Sequence, residues 1–138
     1  MVEWNDDFSI KIPLVDGQHK ILFQMCTMFE EAASDGESRG VLEILFKSLT
    51  DYTVSHFHTE EKMMQRYSYP GLKEQMKEHD DFCEKLTEFK ERFSRSEMIS
   101  GEIAEFLAKW LKNHIYVLDK KMGEFLFNER QKGNEKKG

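Results

Sequence analysis

Apolar residues recur at steps of three or four along most of the chain, which is the spacing that places them on one face of an α-helix. Four such runs are separated by breaks rich in Ser, Asp, Gly or Pro, of which Ser34-Asp35-Gly36 and Tyr69-Pro70-Gly71 are the sharpest. The predicted helices cover about 16–33, 38–66, 72–93 and 102–130. Short loops between four amphipathic helices predict an all-α fold, an up-down-up-down four-helix bundle.

The first fifteen residues follow a different pattern. Apolar residues alternate with polar ones there, at Phe8, Ile10, Ile12 and Leu14. Pro13 opposes a helix, and no second strand pattern exists to form a sheet with this segment. We therefore expect an extended N-terminal arm at 1–15 that lies along the bundle and is anchored by Trp4. The chain is predicted to be a single domain over 1–130, with the bundle at 16–130 and a polar, disordered tail at 131–138.

Composition narrows the functional classes. A chain of 138 residues can bury a core within one domain, and its net charge of −6 argues against nucleic acid as a partner. No apolar run is long enough to span a membrane, and the polar N-terminus is unlike a signal peptide. Cys26 and Cys83 lie within apolar stripes, which is typical of reduced core thiols in a cytoplasmic protein.

Imidazoles and carboxylates interrupt the apolar helix faces. His56 and Glu60 are four residues apart on the apolar face of the second helix. The other helices carry comparable polar residues on their apolar faces, namely His19, then Gln75 and His79, and finally His114 and Asp119. In an antiparallel bundle all of these positions fall at the same end. His58, two residues from His56, is expected to face solvent.

A single histidine on an apolar stripe is usually a core residue with a hydrogen-bond partner. Four at one level, together with carboxylates, would form an uncompensated polar cluster unless a metal neutralised them. One detail opposes convergence, since His114 and Asp119 are five residues apart and an ideal helix turns them away from a common face. Asp119 needs either its side-chain reach or a local bulge in the helix.

The donor types restrict the metal. Imidazole with carboxylate suits iron, manganese or zinc, and the donors are too many for one tetrahedral zinc. They suit two metals bridged by carboxylates. The ferritin-like pattern needs two Glu-x-x-His motifs, which this chain lacks.

These residues also carry a resemblance to bacterial hemerythrins that runs from Trp4 to about Leu126. The matching segments are Asp16-Gly17-Gln18-His19, His56-Phe57 with Glu60-Glu61 and Met64, Tyr69-Pro70, His79-Asp80-Asp81-Phe82, and Trp110 ahead of His114-Ile115 and Asp119. The resemblance implies a non-haem di-iron centre, cycling between Fe²⁺ and Fe³⁺, that binds dioxygen at one iron. The five-residue step from His114 to Asp119 is also the step found in that family.

The resemblance implies a role for each ligand. Glu60 and Asp119 would bridge the two irons together with a solvent-derived oxide or hydroxide. His19 and His56 would hold the iron that keeps an open position.

The second iron would be held by His79 and His114, with a departure from the family at the third position. That position, four residues before His79, is a histidine in the family and is Gln75 here. Gln75 could coordinate iron through its oxygen, hold a water, or leave an iron that is more easily lost.

The resemblance leaves two functional classes open. The first is a protein that binds dioxygen for storage, delivery or sensing, with Phe23, Phe57, Ile115 and Leu118 lining an oxygen pocket, although ordinary core packing explains each of these equally well. The second is a redox enzyme, an oxidase, peroxidase or nitric-oxide-handling protein, that exploits Gln75. The absence of a general acid or base beyond the ligands favours binding. We expect no nucleic acid or membrane partner, a monomer or weak oligomer, and a separate signalling partner if the role is sensing.

Overall fold

The structure, a computed structural model, describes residues 3–137. It contains a 3₁₀ turn at Asp6–Phe8 and the helices α1 Pro13–Ser34, α2 Arg39–Arg66, α3 Leu72–Ser94, α4 Ser100–His114 and α5 Lys120–Lys137, with a π-helical segment at Ile115–Asp119 between the last two. The π segment joins α4 and α5 into one long fourth helix. Residues 3–137 contain no strand. The predicted all-α four-helix bundle is confirmed.

The predicted breaks between the helices are where the sequence placed them. Gly36, two residues after the end of α1, adopts a φ of 71°, a left-handed conformation that glycine tolerates best. Ser38 caps α2, since its hydroxyl oxygen accepts a hydrogen bond from the backbone N–H of Val41. Helix α1 packs beside α2 and α4, and α2 packs beside α3 and α5.

The start of α1 differs from the prediction. The helix begins at Pro13 and not at Asp16, because proline fits the first helical position, where its missing N–H would have no intrahelical partner. The extended arm therefore ends at Ile12. Leu14, which the alternating pattern assigned to the arm, lies in the first turn of α1 and is 59% exposed.

The arm itself packs on the bundle as predicted. Phe8, Ile10 and Ile12 are buried, and Trp4 packs against the rings of Phe8 and Phe23. Asp16 ties the arm to α1, because its carboxylate accepts hydrogen bonds from the Ser9 hydroxyl at 2.6 Å and from the backbone N–H of Ile10 at 2.9 Å. Residues 1 and 2 lie outside the described residues.

The predicted disordered tail is helical as far as the structure describes it. Helix α5 extends to Lys137, so residues 131–137 continue the fourth helix, and residue 138 lies outside the described residues. The segment contains no proline, and Gln, Lys and Glu are good helix formers. Low hydrophobicity alone suggested disorder, whereas the preceding turns of α5 already supply a nucleus for the helix.

Two apolar clusters fill the bundle on either side of the predicted polar level. The larger contains the residues that follow His19 and His79 by one turn, Leu22 and Phe82. The smaller contains residues at the other side of that level, namely Ile10, Ile12, Val15, Met64, Met122 and Leu126. The arm therefore closes one end of the bundle next to the polar layer.

Gly123 of α5 marks the closest approach of the arm. A Cβ atom added there would lie 2.5 Å from the Cβ and 2.6 Å from the carbonyl oxygen of Ile10. Gly123→Ala should therefore displace the arm and lower the free energy of unfolding by about 1–3 kcal/mol. Urea denaturation measures this effect.

The matched control is Gly101→Ala in α4, where an added Cβ meets nothing within 4 Å. This variant should be unchanged or more stable by up to about 1 kcal/mol, because alanine is the better helix former. Equal free energies of unfolding for the two variants would show that the arm can move away from Gly123 without loss of stability.

Candidate metal centre

Four long helices bring seven polar side chains into one buried layer. The seven are the residues selected from the sequence, and each is at most 5% exposed: His19, His56, Glu60, Gln75, His79, His114 and Asp119. Helix α1 supplies the first, α2 the next two, α3 the glutamine and one histidine, and the fourth helix the last two. The convergence predicted from an antiparallel bundle is present, and His58 is exposed as expected.

The π segment solves the spacing problem of the fourth helix. His114 is the last residue of α4, and Asp119 is the last residue of the π segment. A π-helical turn holds more residues than an α-helical turn, so a five-residue step returns to nearly the same face. The Nε2 atom of His114 lies 3.2 Å from Oδ1 of Asp119. Of the two predicted solutions, the local bulge is the one observed.

The two carboxylates each face imidazoles from several helices. Asp119 turns Oδ1 toward His114 and Oδ2 toward Nε2 of His19, also at 3.2 Å. Glu60 turns Oε1 toward Nε2 of His56 at 3.1 Å and Nε2 of His79 at 3.5 Å, and turns Oε2 toward Nε2 of His19 at 3.5 Å. Each carboxylate therefore lies between two sets of histidines.

These donors form two groups that could each hold a metal ion. One consists of His19, His56, Glu60 and Asp119, and the other of Glu60, His79 and His114, with ligand atoms within 4.8 Å of one another in each group. Glu60 belongs to both. Many of the buried atoms lack a hydrogen-bond partner within the described residues, among them both nitrogens of His19, His79 and His114 and both oxygens of Glu60. Unpaired buried polar atoms are costly, which fits a layer built to bind a cation.

The buried imidazoles and carboxylates of the layer change one another's pKa values. Burial alone would lower the pKa of His19, but the Asp119 and Glu60 carboxylates, whose oxygens lie 3.2 and 3.5 Å from Nε2, outweigh burial and raise this pKa to about 9. Burial alone would raise the pKa of Glu60, but attraction from His56 and contacts with His19 and His79 hold this pKa well below its usual range. The layer therefore keeps its carboxylates ionised beside a protonated His19 at neutral pH.

Two side chains outside the predicted ligand set contact the ring nitrogens that face away from the carboxylates. Oε1 of Gln18 lies 2.6 Å from Nδ1 of His56. Because the amide oxygen can only accept, Nδ1 carries a proton, and Nε2 is the nitrogen that faces Glu60 and could bind a metal. Oε2 of Glu61 lies 3.6 Å from Nδ1 of His79. The sequence pattern contained both residues, beside His19 and Glu60, but spacing alone did not indicate these roles.

Aromatic rings fix the planes of two imidazoles. The Phe57 ring stacks on His79 with centroids 3.8 Å apart and planes 5° from parallel. The Trp110 ring stacks on His114 at 4.4 Å and 11°. Both imidazoles belong to the metal-binding group of Glu60, His79 and His114. Packing against aromatic rings therefore holds two donors of this group in a fixed orientation.

The predicted oxygen-pocket residues have different surroundings. Phe57 is the one that stacks on an imidazole, whereas Phe23 packs against arm residues. Ile115 is fully buried and Leu118 is half-buried, and both lie in the π segment between His114 and Asp119. A cavity of about 10 Å³ lies one turn from the polar layer, and other side chains line it: Leu22, Cys26, Leu49, Thr53, Phe82, Leu107, Trp110 and Leu111.

Gln75 is 1% exposed, and its side-chain nitrogen donates a hydrogen bond to Oδ1 of Asp119 at 2.9 Å. Its oxygen, Oε1, is buried without a hydrogen-bond partner within the described residues.

Comparison with known proteins decides the family. The hemerythrin HHE cation binding domain matches residues 11–126, which is most of the chain. The chain belongs to the hemerythrin family. The resemblance found in the sequence is thereby confirmed, and the fold is the non-haem di-iron, oxygen-binding fold of this family.

The relatives of this chain include bacteriohemerythrins and a myohemerythrin. It is 33% identical over 112 residues to a bacteriohemerythrin of Pseudomonas paraeruginosa, covering 81% of this chain and 72% of that protein. It is 30% identical to the bacteriohemerythrin of Methylococcus capsulatus, covering 87% and 92% of the two chains, and 30% identical to the myohemerythrin of Riftia pachyptila, covering 84% and 86%.

The hemerythrin fold is also found by structural comparison. A crystal structure of wild-type hemerythrin superposes with a TM-score of 0.86 at 28% identity and covers 91% of this chain and 98% of that chain. None of the helices in residues 3–137 combines the length and apolar character needed to cross a membrane.

Proposed function

We propose that this hemerythrin binds dioxygen reversibly at a di-iron centre held by His19, His56, Glu60, Gln75, His79, His114 and Asp119. The observation that carries the proposal is the sharing of carboxylates: Glu60 belongs to both metal-binding groups, and Asp119 offers one oxygen to a histidine of each.

The donor set fits two cations better than one. A single tetrahedral zinc needs four donors, and the layer offers four imidazoles, two carboxylates and an amide. Mixed imidazole and carboxylate donors suit iron. The unpartnered atoms of His19, Glu60 and His79 would gain partners on metal binding, so the metal should stabilise the fold.

Side chains around the centre orient the imidazoles that would bind the metal. When bound, the iron pair supplies the electrons and the coordination position that dioxygen needs. Gln18 holds the tautomer of His56, and the stacked rings of Phe57 and Trp110 hold the planes of two further imidazoles. We also propose that Phe57, together with Phe23, Ile115 and Leu118, keeps water from the oxygen position.

The biological setting follows from the same proposal. Storage, delivery or sensing of oxygen all require reversible binding, and sensing would require a separate signalling partner. Both cysteines are free thiols, Cys26 in the core and Cys83 half-buried, which suits a reducing compartment such as the cytoplasm. We propose a monomer or weak oligomer without nucleic-acid or membrane partners.

One observation favours a second candidate, a di-iron redox enzyme. The amide of Gln75 is a weaker iron donor than an imidazole, and its nitrogen is already engaged with Asp119. An iron with fewer strong protein ligands would expose a further exchangeable position, which suits oxidase, peroxidase or nitric-oxide chemistry.

The test is anaerobic loading of the metal-free protein with Fe²⁺, removal of unbound metal, elemental analysis and exposure to air. We expect two irons per chain and a stable coloured adduct that disappears when oxygen is removed. Direct passage to an oxidised form without an adduct would favour the enzyme. Stoichiometric zinc with no iron retained after loading would refute the di-iron centre, and a zinc-loaded sample is the colourless control.

A further inference from the structure

The orientation of the Gln75 amide follows from its partner. A carboxylate has no hydrogen to donate, so the group that lies 2.9 Å from Oδ1 of Asp119 is the amide nitrogen and not the amide oxygen. The pair is buried, with Gln75 and Asp119 each 1% exposed, so water does not compete for this bond. A buried, charge-assisted hydrogen bond of this kind holds the carboxylate in one orientation.

The hydrogen bond falls on only one side of Asp119. Oδ1, which accepts from Gln75, is the oxygen that faces His114, whereas Oδ2 faces His19 and has no hydrogen-bond partner within the described residues. A donated hydrogen occupies a lone pair of Oδ1 and withdraws electron density from it. Oδ1 of Asp119 is therefore a weaker donor to a metal ion on the His114 side than Oδ2 is to a metal ion on the His19 side.

The carboxylates are also distributed unequally, with more of them on the His19 side. The group with His19 and His56 contains both carboxylates, whereas the group with His79 and His114 contains Glu60 alone. The third side chain on the latter side is Gln75, and its nitrogen is already committed.

We propose that Gln75 is a positioning residue that makes the two halves of the centre unequal, so that the His19/His56 half takes up its metal first and the His79/His114 half takes up its metal second and more weakly. The inference rests on the proposed function in requiring two metal ions. It predicts a protein that passes through a half-loaded state and can hold two different metals.

The test is a titration of the metal-free chain of 138 residues with Co²⁺ alone, followed by calorimetry and by the visible absorption of bound Co²⁺. We expect two steps whose affinities differ by about 10- to 100-fold, the usual effect of residues that support metal ligands. Gln75→His replaces the amide by an imidazole that can bind metal. It should tighten the second step by about tenfold or more and leave the first within about threefold.

A second variant and a control make the result specific. Gln75→Glu would share a proton with the buried Asp119 in the metal-free protein and lose it when a metal ion binds, which offers the metal a charged oxygen, so it should also tighten the second step. Gln65→His introduces the same imidazole on an exposed position of α2 and should match the parent in both steps. Circular dichroism verifies that each variant is folded.

Two results would overturn the inference while leaving the di-iron proposal intact: two Co²⁺ ions bound by the parent with equal affinity, or a second step unmoved in both Gln75 variants. Uptake of at most one Co²⁺ by every protein would overturn the di-iron proposal itself, and the inference with it. Tightening of the second step alone, in either variant, supports the inference.

Discussion

Glu60→Ala should abolish the uptake of both irons. The two oxygens of Glu60 lie within 3.1–3.5 Å of imidazole nitrogens from three different helices, His19, His56 and His79. Both metal-binding groups contain this carboxylate, so its removal takes a donor from each and the negative charge from between them. Anaerobic loading followed by desalting and elemental analysis should find two irons in the parent and none in the variant.

The same substitution should destabilise the metal-free fold. Glu60 is fully buried and is the partner of the histidines around it, so alanine leaves buried polar groups without a counter-charge. Removal of one partner from a buried ion pair costs about 3–5 kcal/mol. Urea denaturation of the metal-free proteins measures this cost independently of iron.

His58→Ala is the matched control on the same helix. His58 is exposed and faces away from the layer, so the variant should retain both irons and stay within about 0.5 kcal/mol of the parent. If both variants lose iron to the same extent, Glu60 does not bridge the centre and iron uptake reflects the general stability of α2.

Helical periodicity was sufficient to predict the bundle and the level of the polar layer. Residues spaced by three or four define a helix face, and antiparallel connections place the faces relative to one another. Periodicity does not locate helix ends, however. The chain begins α1 at Pro13 because proline can take the first helical position, and Leu14 is therefore exposed instead of lying in the arm.

The contacts that tune the layer could not be predicted in the same way, because they join residues far apart in sequence. Gln75 and Asp119 are separated by 44 positions, and Gln18 and His56 by 38. Whether an amide donates or accepts depends on the atom that faces it in the folded chain. The π segment is an intermediate case, since the five-residue step to Asp119 required a bulge or a reaching side chain and only the folded backbone distinguishes them.

Raising the pH from 6.5 to 9 should widen the difference in stability between loaded and metal-free protein. The pKa of His19 in the metal-free fold is about 9, against 6.5 for an ordinary histidine. Because the folded value is the higher one, its contribution to stability is complete below pH 6.5 and is lost as the pH rises toward 9. The loss is on the order of 3 kcal/mol. His114, whose pKa is also raised by Asp119 despite its burial, changes stability in the same direction.

The loaded protein should lack this slope, because a metal ligand must be a neutral imidazole and no proton remains on His19 to be lost. Metal binding at pH 7 therefore releases that proton, and the affinity should rise roughly tenfold per pH unit until about pH 9. Thermal midpoints of both forms across this range, with calorimetry in buffers of different ionisation enthalpy, measure the two effects. His19→Gln is the control, and its metal-free form should lose most of the slope. A metal-free parent whose midpoint is constant from pH 6.5 to 9 would mean that His19 is neutral in the fold, and that the two carboxylates are balanced by other groups.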